Sequence, residues 1–289
     1  MNAALNWLIR GRAAAASHLL LAPASLWLVF FMLLPVAFLL ALGLARTGAY
    51  GAIVWTPSFV NFSRALDPKY LPILARTLAY AATATALCLA LGFPVAYFLS
   101  FYAGRFRDRL LVLLMLPFWT SCLVAIYSWI IILGREGLVN SMLVRAGIVE
   151  TPIGFLNTPF SVILGLVYFY LPFMILPLYS SLEKVPRSLI EASYDLGAGG
   201  AQTFLKVTLP LCLPGVLAGS ILTFIPCMGD FLTADFLGGP NTYLMGNLIQ
   251  NQFLANSDWP FGAALTALLL ILLAFGLLIY QRLEAKVTE

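Results

Sequence analysis

Residues 191–210 read Glu-Ala-Ser-Tyr-Asp-Leu-Gly-Ala-Gly-Gly-Ala-Gln-Thr-Phe-Leu-Lys-Val-Thr-Leu-Pro, a polar, glycine-punctuated island between apolar runs at 151–182 and 207–229. A few polar residues suffice to join two membrane helices, whereas this segment carries the marks of a short helix with an abrupt stop. Pro186 keeps the preceding run from continuing unbroken. Ser188 followed three residues later by Glu191 has the spacing of a capping box, which predicts a helix from Leu189 to about Leu196 with Ser188 as N-cap. Gly197 is then placed for the left-handed turn that ends a helix. A second short helix is expected from Ala201 to Leu209, stopped by Pro210 and Pro214, the two pivoting on Gly197 to Gly200. Ala192 and Ser193 are small enough for another surface to approach closely, and Leu189, Ile190 and Leu196 offer apolar contact. On these residues alone, the hairpin either docks on an aqueous partner or packs under its own bundle.

Outside the island the chain is made for lipid. Of 289 residues, 62% are hydrophobic and 10% charged, with a mean hydropathy of +0.95; a soluble domain carries roughly 25% charged residues. Uncharged runs at 19–45, 77–104, 110–134, 151–182, 207–229 and 259–281 each reach the roughly 20 residues that cross a bilayer as a helix. Inside lipid the backbone must satisfy its own hydrogen bonds, so an all-α integral membrane protein with six transmembrane helices follows. The whole chain, 1–289, reads as one membrane domain whose first helix, 19–45, is retained, being longer than a signal-peptide core. With both termini cytoplasmic, ten basic residues fall inside and six outside, and Arg105, Arg107 and Arg109 in the short 101–109 loop carry most of the bias. That distribution accounts for the net charge of +4 without a nucleic-acid patch.

Three outer segments are expected: 46–70, a helix lying at the membrane surface within 135–158, and a helix dipping back toward the membrane within 238–258. Pro35, Pro94, Pro117, Pro172, Pro177 and Pro226 fall inside spans and are expected to kink them. Catalysis is excluded on inventory. None of the four lysines follows a glycine, so no phosphate-cradling Gly-x-x-x-x-Gly-Lys loop exists, and His18 is the sole histidine. Cys88, Cys122, Cys212 and Cys227 lie in spans at no metal-ligand spacing and read as packing residues, so neither a metal nor a cofactor is expected. A solute path needs polar groups in the bundle. Asp230 and Asp235, after Pro226 and Gly229, are the candidate carboxylates, each also readable as a turn cap. Trp119, Tyr127, Trp129, Tyr168 and Tyr170 are the aromatic candidates, each also readable as an interfacial anchor.

Glu191-Ala192-Ser193, then Gly197, then Val207, then Leu209-Pro210 resembles the cytoplasmic signature loop of type I ABC importer permeases, with every spacing kept. The departures are Ser193 for an alanine and Val207 for an isoleucine. Leu116-Pro117-Phe118-Trp119-Thr120, Leu171-Pro172-Phe173-Met174, Leu237-Gly238-Gly239-Pro240 and Asp258-Trp259-Pro260-Phe261-Gly262 look like the subgroup that imports spermidine and putrescine. The resemblance implies a permease core over 74–281 and a coupling loop over 183–210. In it, Glu191, Ala192, Ser193, Asp195, Leu196, Gly197 and Ala198 would seat a coupling helix in an ATP-hydrolysing subunit. It also implies a second, similar permease, two ATP-binding subunits that hold ATP and Mg2+, an external solute-binding protein, and a bacterial inner membrane around the chain. Other small solutes, aminophosphonates, opines or amino-acid-like molecules, are the nearest alternatives, and a secondary transporter is the alternative from another class.

Overall fold

The computed structural model describes the backbone of residues 2–288 and the side chains of 21–282 other than Ala24 and Ile279, so Arg10, Arg12, His18 and Lys286 lie outside the described side chains. Helices α1 (Asn2–Leu44), α2 (Val60–Ala65), α3 (Leu71–Phe101), α4 (Arg107–Trp119), α5 (Cys122–Leu133), α6 (Leu138–Arg145) and α7 (Pro159–Leu182) follow in order. After them come α8 (Arg187–Asp195), α9 (Gly200–Thr203), a π-helical turn at Phe204–Thr208, α10 (Leu209–Leu211), α11 (Leu213–Gly229), α12 (Leu232–Leu237), α13 (Met245–Leu254) and α14 (Trp259–Thr288). A two-residue antiparallel ribbon, β1 (Arg46–Thr47) with β2 (Ile53–Val54), is the only sheet among the described residues.

Five stretches are long and apolar enough to cross a membrane: Leu21–Leu44, Pro68–Phe101, Cys122–Arg145, Pro159–Leu182 and Trp259–Arg282. A sixth is obtained when Gly200–Leu211 and Leu213–Gly229, set at 67°, are taken as one bent span. The core is the meeting of α3, α7 and α11. Ala81, Ala84, Cys88, Gly92 and Ala96 form a buried seam of small residues along α3. Into it pack Leu166, Met174, Ile175 and Leu178 of α7, all fully buried. In hydrocarbon there is little hydrophobic drive between helices, so close backbone approach over small residues supplies the contact. Gly215 and Gly219 do the same for α11: a Cβ at Gly215 would lie 2.4 Å from Ser181 Cβ, and one at Gly219 would lie 2.8 Å from Met174 Sδ.

Three local expectations are corrected. The run at 110–134 is two helices, parted at Thr120 and Ser121, whose backbones are extended. Pro117 cannot donate to the preceding turn, and Thr120 Oγ1 donates to the Pro117 carbonyl at 2.9 Å, closing α4 there. The capping box does not form. Helix α8 starts two residues earlier than expected, with Pro186 in extended conformation as its cap and no side-chain cap bond. Pro186 has no N–H to satisfy, and its carbonyl accepts from Leu189 N at 3.1 Å, which leaves Ser188 inside the first turn. Nor does Pro210 stop the second helix: it sits at the start of α10, and the bend comes at Cys212, just before Pro214. The prolines expected inside spans, Pro35, Pro94, Pro117, Pro172, Pro177 and Pro226, all lie within helices.

Candidate functional site

Helix α8 hangs from the core by three attachments. Arg187 Nη2 donates to the Phe101 carbonyl at 3.1 Å, at the end of α3. Ile190 packs against the core, and Phe204, next to α9, meets Phe93 edge to face at 5.2 Å. Ser193 Oγ donates to the Ile190 carbonyl at 2.8 Å and lies 2.7 Å from Thr203 Oγ1, whose side chain is buried. The serine that departs from the alanine of the resembled motif therefore ties α8 to α9. Replacing Ser193 by alanine and Thr203 by valine, singly and together, is expected to show a coupling of about 1 kcal/mol in thermal denaturation of the purified chain. Strict additivity would mean that the two hydroxyls do not bond.

The stop after α8 is a Schellman turn. Gly197 has φ +80°, its N–H bonds to the Tyr194 carbonyl at 2.9 Å, and Ala198 N bonds to the Ser193 carbonyl at 3.0 Å. Beyond this fastening the helix faces outward. Glu191, Ala192, Tyr194, Asp195, Leu196 and Gly197 are exposed, Leu196 at 88%. Ala198 and Ser193 are half-buried. An apolar side chain held out on a rigid, short helix is what a protein partner rewards and water does not.

At the far end of α11 the chain breaks after Gly229, and Asp230 turns into an extended conformation. Its Oδ1 accepts from Thr233 N at 2.9 Å, and its Oδ2 accepts from Thr233 Oγ1 and Tyr170 Oη, each at 3.0 Å. The carboxylate thus caps α12 and joins it to α7, and it keeps one lone-pair direction unused. Asp235 is exposed on α12, and its carboxylate accepts from Asn247 Nδ2 at 3.4 Å. Of the aromatic candidates, Tyr170 joins the Asp230 cluster directly. Tyr127 of α5 lies 5.7 Å from Phe236 of α12, and Trp129 lies 5.5 Å from Tyr168 of α7, both edge to face. Trp119 stands apart, 71% exposed at the end of α4, with no ring contact among the described residues.

Several polar residues that organise this region gave no motif. Asn247 is buried, donates to the Phe231 carbonyl at 2.9 Å and accepts from Leu244 N at 3.2 Å, so it sews α13 to the start of α12. Thr77 Oγ1 accepts from Met245 N at 2.9 Å and anchors α13 to α3. Asn140 does similar work behind α6, bonding both groups of Ile153 and the Gly134 carbonyl. A polar residue within an apolar neighbourhood was the available signal, because a buried amide must find partners. Helices are present where expected at 135–158 (α6) and 238–258 (α13). Three of the four cysteines are buried and all are free, Cys122 being exposed at the start of α5. No group of three metal-binding side chains occurs among the described residues.

Residues 89–289 match the family described as "Binding-protein-dependent transport system inner membrane component". The chain belongs to that family. This permease is 41% identical, over 89% of its length and 90% of the relative's, to the spermidine/putrescine transport system permease protein PotB of Haemophilus influenzae. It is 43% identical to the PotB protein of Escherichia coli, over 89% of its own length and 93% of the relative's. Its fold is shared with a chain of a bacterial alginate ABC transporter solved with an alginate pentasaccharide-bound periplasmic protein: the TM-score is 0.78 with 96% of both chains covered, at 16% identity. The permease is thus a multi-pass inner-membrane transport component that works with a binding protein.

Proposed function

We propose that this permease is one membrane subunit of an ATP-driven importer of spermidine and putrescine. It would line the path with a second, similar permease, take its drive from two ATP-binding subunits, and receive cargo from an external binding protein. The cargo assignment is carried by one observation, the 41–43% identity to spermidine/putrescine permeases across about nine-tenths of the chain. The drive is supported by α8, exposed on its outer face and fastened on its inner one, which can transmit a push to α3 and α11. ATP and Mg2+ belong to the ATP-binding subunits, and this chain contributes no catalysis. On this reading 183–210 is cytoplasmic, and so is 101–109, because Arg187 bonds to Phe101 and Arg107 Nη1 pairs with Glu183 at 2.7 Å. Both termini are then inside.

In the same reading Asp230, with Tyr170 beside it, offers one carboxylate lone pair to a passing ammonium group, and Tyr127, Trp129, Tyr168 and Trp119 offer ring faces worth about 0.5–2 kcal/mol each. Asp235 serves at the outer mouth. Aspartate-to-asparagine at 230 keeps an acceptor for Thr233 N and removes the charge. The half-saturation for spermidine uptake is expected to rise about tenfold in proteoliposomes holding the whole complex. An unchanged uptake curve would leave Asp230 as a helix cap alone. The reading as a whole is tested in the same vesicles. Uptake should require ATP and the loaded binding protein, whereas uptake driven by an ion gradient without the ATP-binding subunits would make this a secondary transporter.

A further inference from the structure

The turn between α3 and α4 carries a groove of about 570 Å³, away from the candidate site, lined by Phe98, Tyr102, Phe106, Arg109, Leu110 and Leu113. Its volume falls within the roughly 300–1,000 Å³ usual for small-ligand sites. Four of these side chains are largely exposed: Phe98 and Phe106 at about half, Leu113 at 58% and Tyr102 at 69%. They occupy the last turn of α3, the turn that follows it and the start of α4, which the transport reading places at the inner face of the membrane.

The charges at the rim are unequal in their partners. Arg107 is taken by Glu183 at 2.7 Å and lies over the Tyr179 ring, and Asp108 sits 3.7 Å from the same guanidinium. Arg105 and Arg109 have no carboxylate within ion-pair distance among the described residues. Arg109 lines the groove, and Arg105 stacks on Phe106, its Cζ 5.0 Å from the ring centroid. Arg109 in the groove wall and Arg105 on the neighbouring Phe106, four residues apart and without a carboxylate partner among the described residues, suit one phosphate with an acyl chain beneath it. A zwitterionic headgroup would bring its own ammonium against them; an anionic one does not.

We propose that this groove holds an anionic phospholipid, its phosphate between Arg105 and Arg109 and one acyl chain along Phe106, Leu110 and Leu113. The site shares its turn with Phe101, whose carbonyl holds Arg187 of α8, so the lipid would steady the base of the coupling helix. That consequence rests on the transport reading, whereas lipid retention needs only that the chain spans a membrane.

Native mass spectrometry of the whole complex, purified from bilayers of phosphatidylglycerol and phosphatidylethanolamine, tests the binding. Wild type is expected to retain one more phosphatidylglycerol than the R105Q/R109Q variant. Titrated into delipidated complex, phosphatidylglycerol should bind the variant at least tenfold more weakly, and R105K/R109K should recover much of the loss, which separates charge from misfolding. Equal retention in wild type and R105Q/R109Q would overturn the proposal. So would a groove that retains phosphatidylethanolamine in place of phosphatidylglycerol, or a Phe106→Cys cross-link to the second permease showing that protein covers it. A complex that keeps the lipid but imports no polyamine would leave the lipid site standing and remove the cargo assignment.

Discussion

Replacing Gly197 by aspartate is expected to leave the complex assembled in the membrane and to lower spermidine uptake by about a hundredfold or more. Two facts separate the fold from the function here. Gly197 stands at φ +80°, and a Cβ built on it meets nothing within 4 Å of its own chain. Aspartate is among the residues that tolerate this backbone region, so the strain is on the order of 1 kcal/mol and the Schellman turn survives. If the turn is seated in a cleft of an ATP-binding subunit, however, the variant buries an unpaired carboxylate there, which costs at least about 3 kcal/mol. Alanine at 197 carries the strain without the charge and should lose only a fraction of the activity. Immunoblots of membranes, uptake into proteoliposomes and transport-linked ATP hydrolysis read the three effects apart. Normal uptake by the aspartate variant would detach coupling from this turn, and its absence from membranes would make Gly197 a folding residue.

Leucine at Gly215 is expected to do the opposite, preventing the chain from accumulating at all. Here the added atoms have nowhere to go. The first of them would lie 2.4 Å from Ser181 Cβ and 2.8 Å from the Pro177 carbonyl, and the obstacle is helix backbone rather than the tip of a flexible side chain. Overpacking a tight site costs about 1–3 kcal/mol for small increments, and four carbons against the α7 backbone exceed that. Gly276→Leu is the matched control, since a Cβ on Gly276 of α14 meets nothing within 4 Å. Fluorescence-detected size-exclusion of tagged protein should show a monodisperse peak for the control and none for the Gly215 variant. Equal peaks would mean that α7 and α11 are not packed through this glycine.

Much of this architecture could be read from local chemistry. The long apolar helices outside 110–134, the glycine stop at 197 and the helices within 135–158 and 238–258 each depend on a few neighbouring residues, and each is present in the fold. The misreadings came where two local rules competed. Ser188 and Glu191 satisfied a capping pattern, but Pro186 could begin the helix earlier and Arg187 found a carbonyl on α3 that fixed its register. Pro210 looked like a stop, yet proline is equally suited to the first turn of a helix, and a π-helical turn ahead of it absorbed the misfit. Two residues beyond Pro117, α4 did end, with Thr120 Oγ1 closing the Pro117 carbonyl that the helix leaves open.

The candidate site divides along the same line. That a short helix within about 189–196 ends on a glycine stop was determined by the sequence alone, because a left-handed turn acts within a handful of residues. Which face of that helix is fastened, that Ser193 meets Thr203, that Asp230 binds Tyr170 and Thr233 while Asp235 stays outside, and that Asn247 and Thr77 hold α13 were decided only by the tertiary structure. Those bonds join helices up to 168 residues apart in the chain. No periodicity records them, since the demand that a buried polar group find a partner says that a partner exists and leaves its identity to the packing.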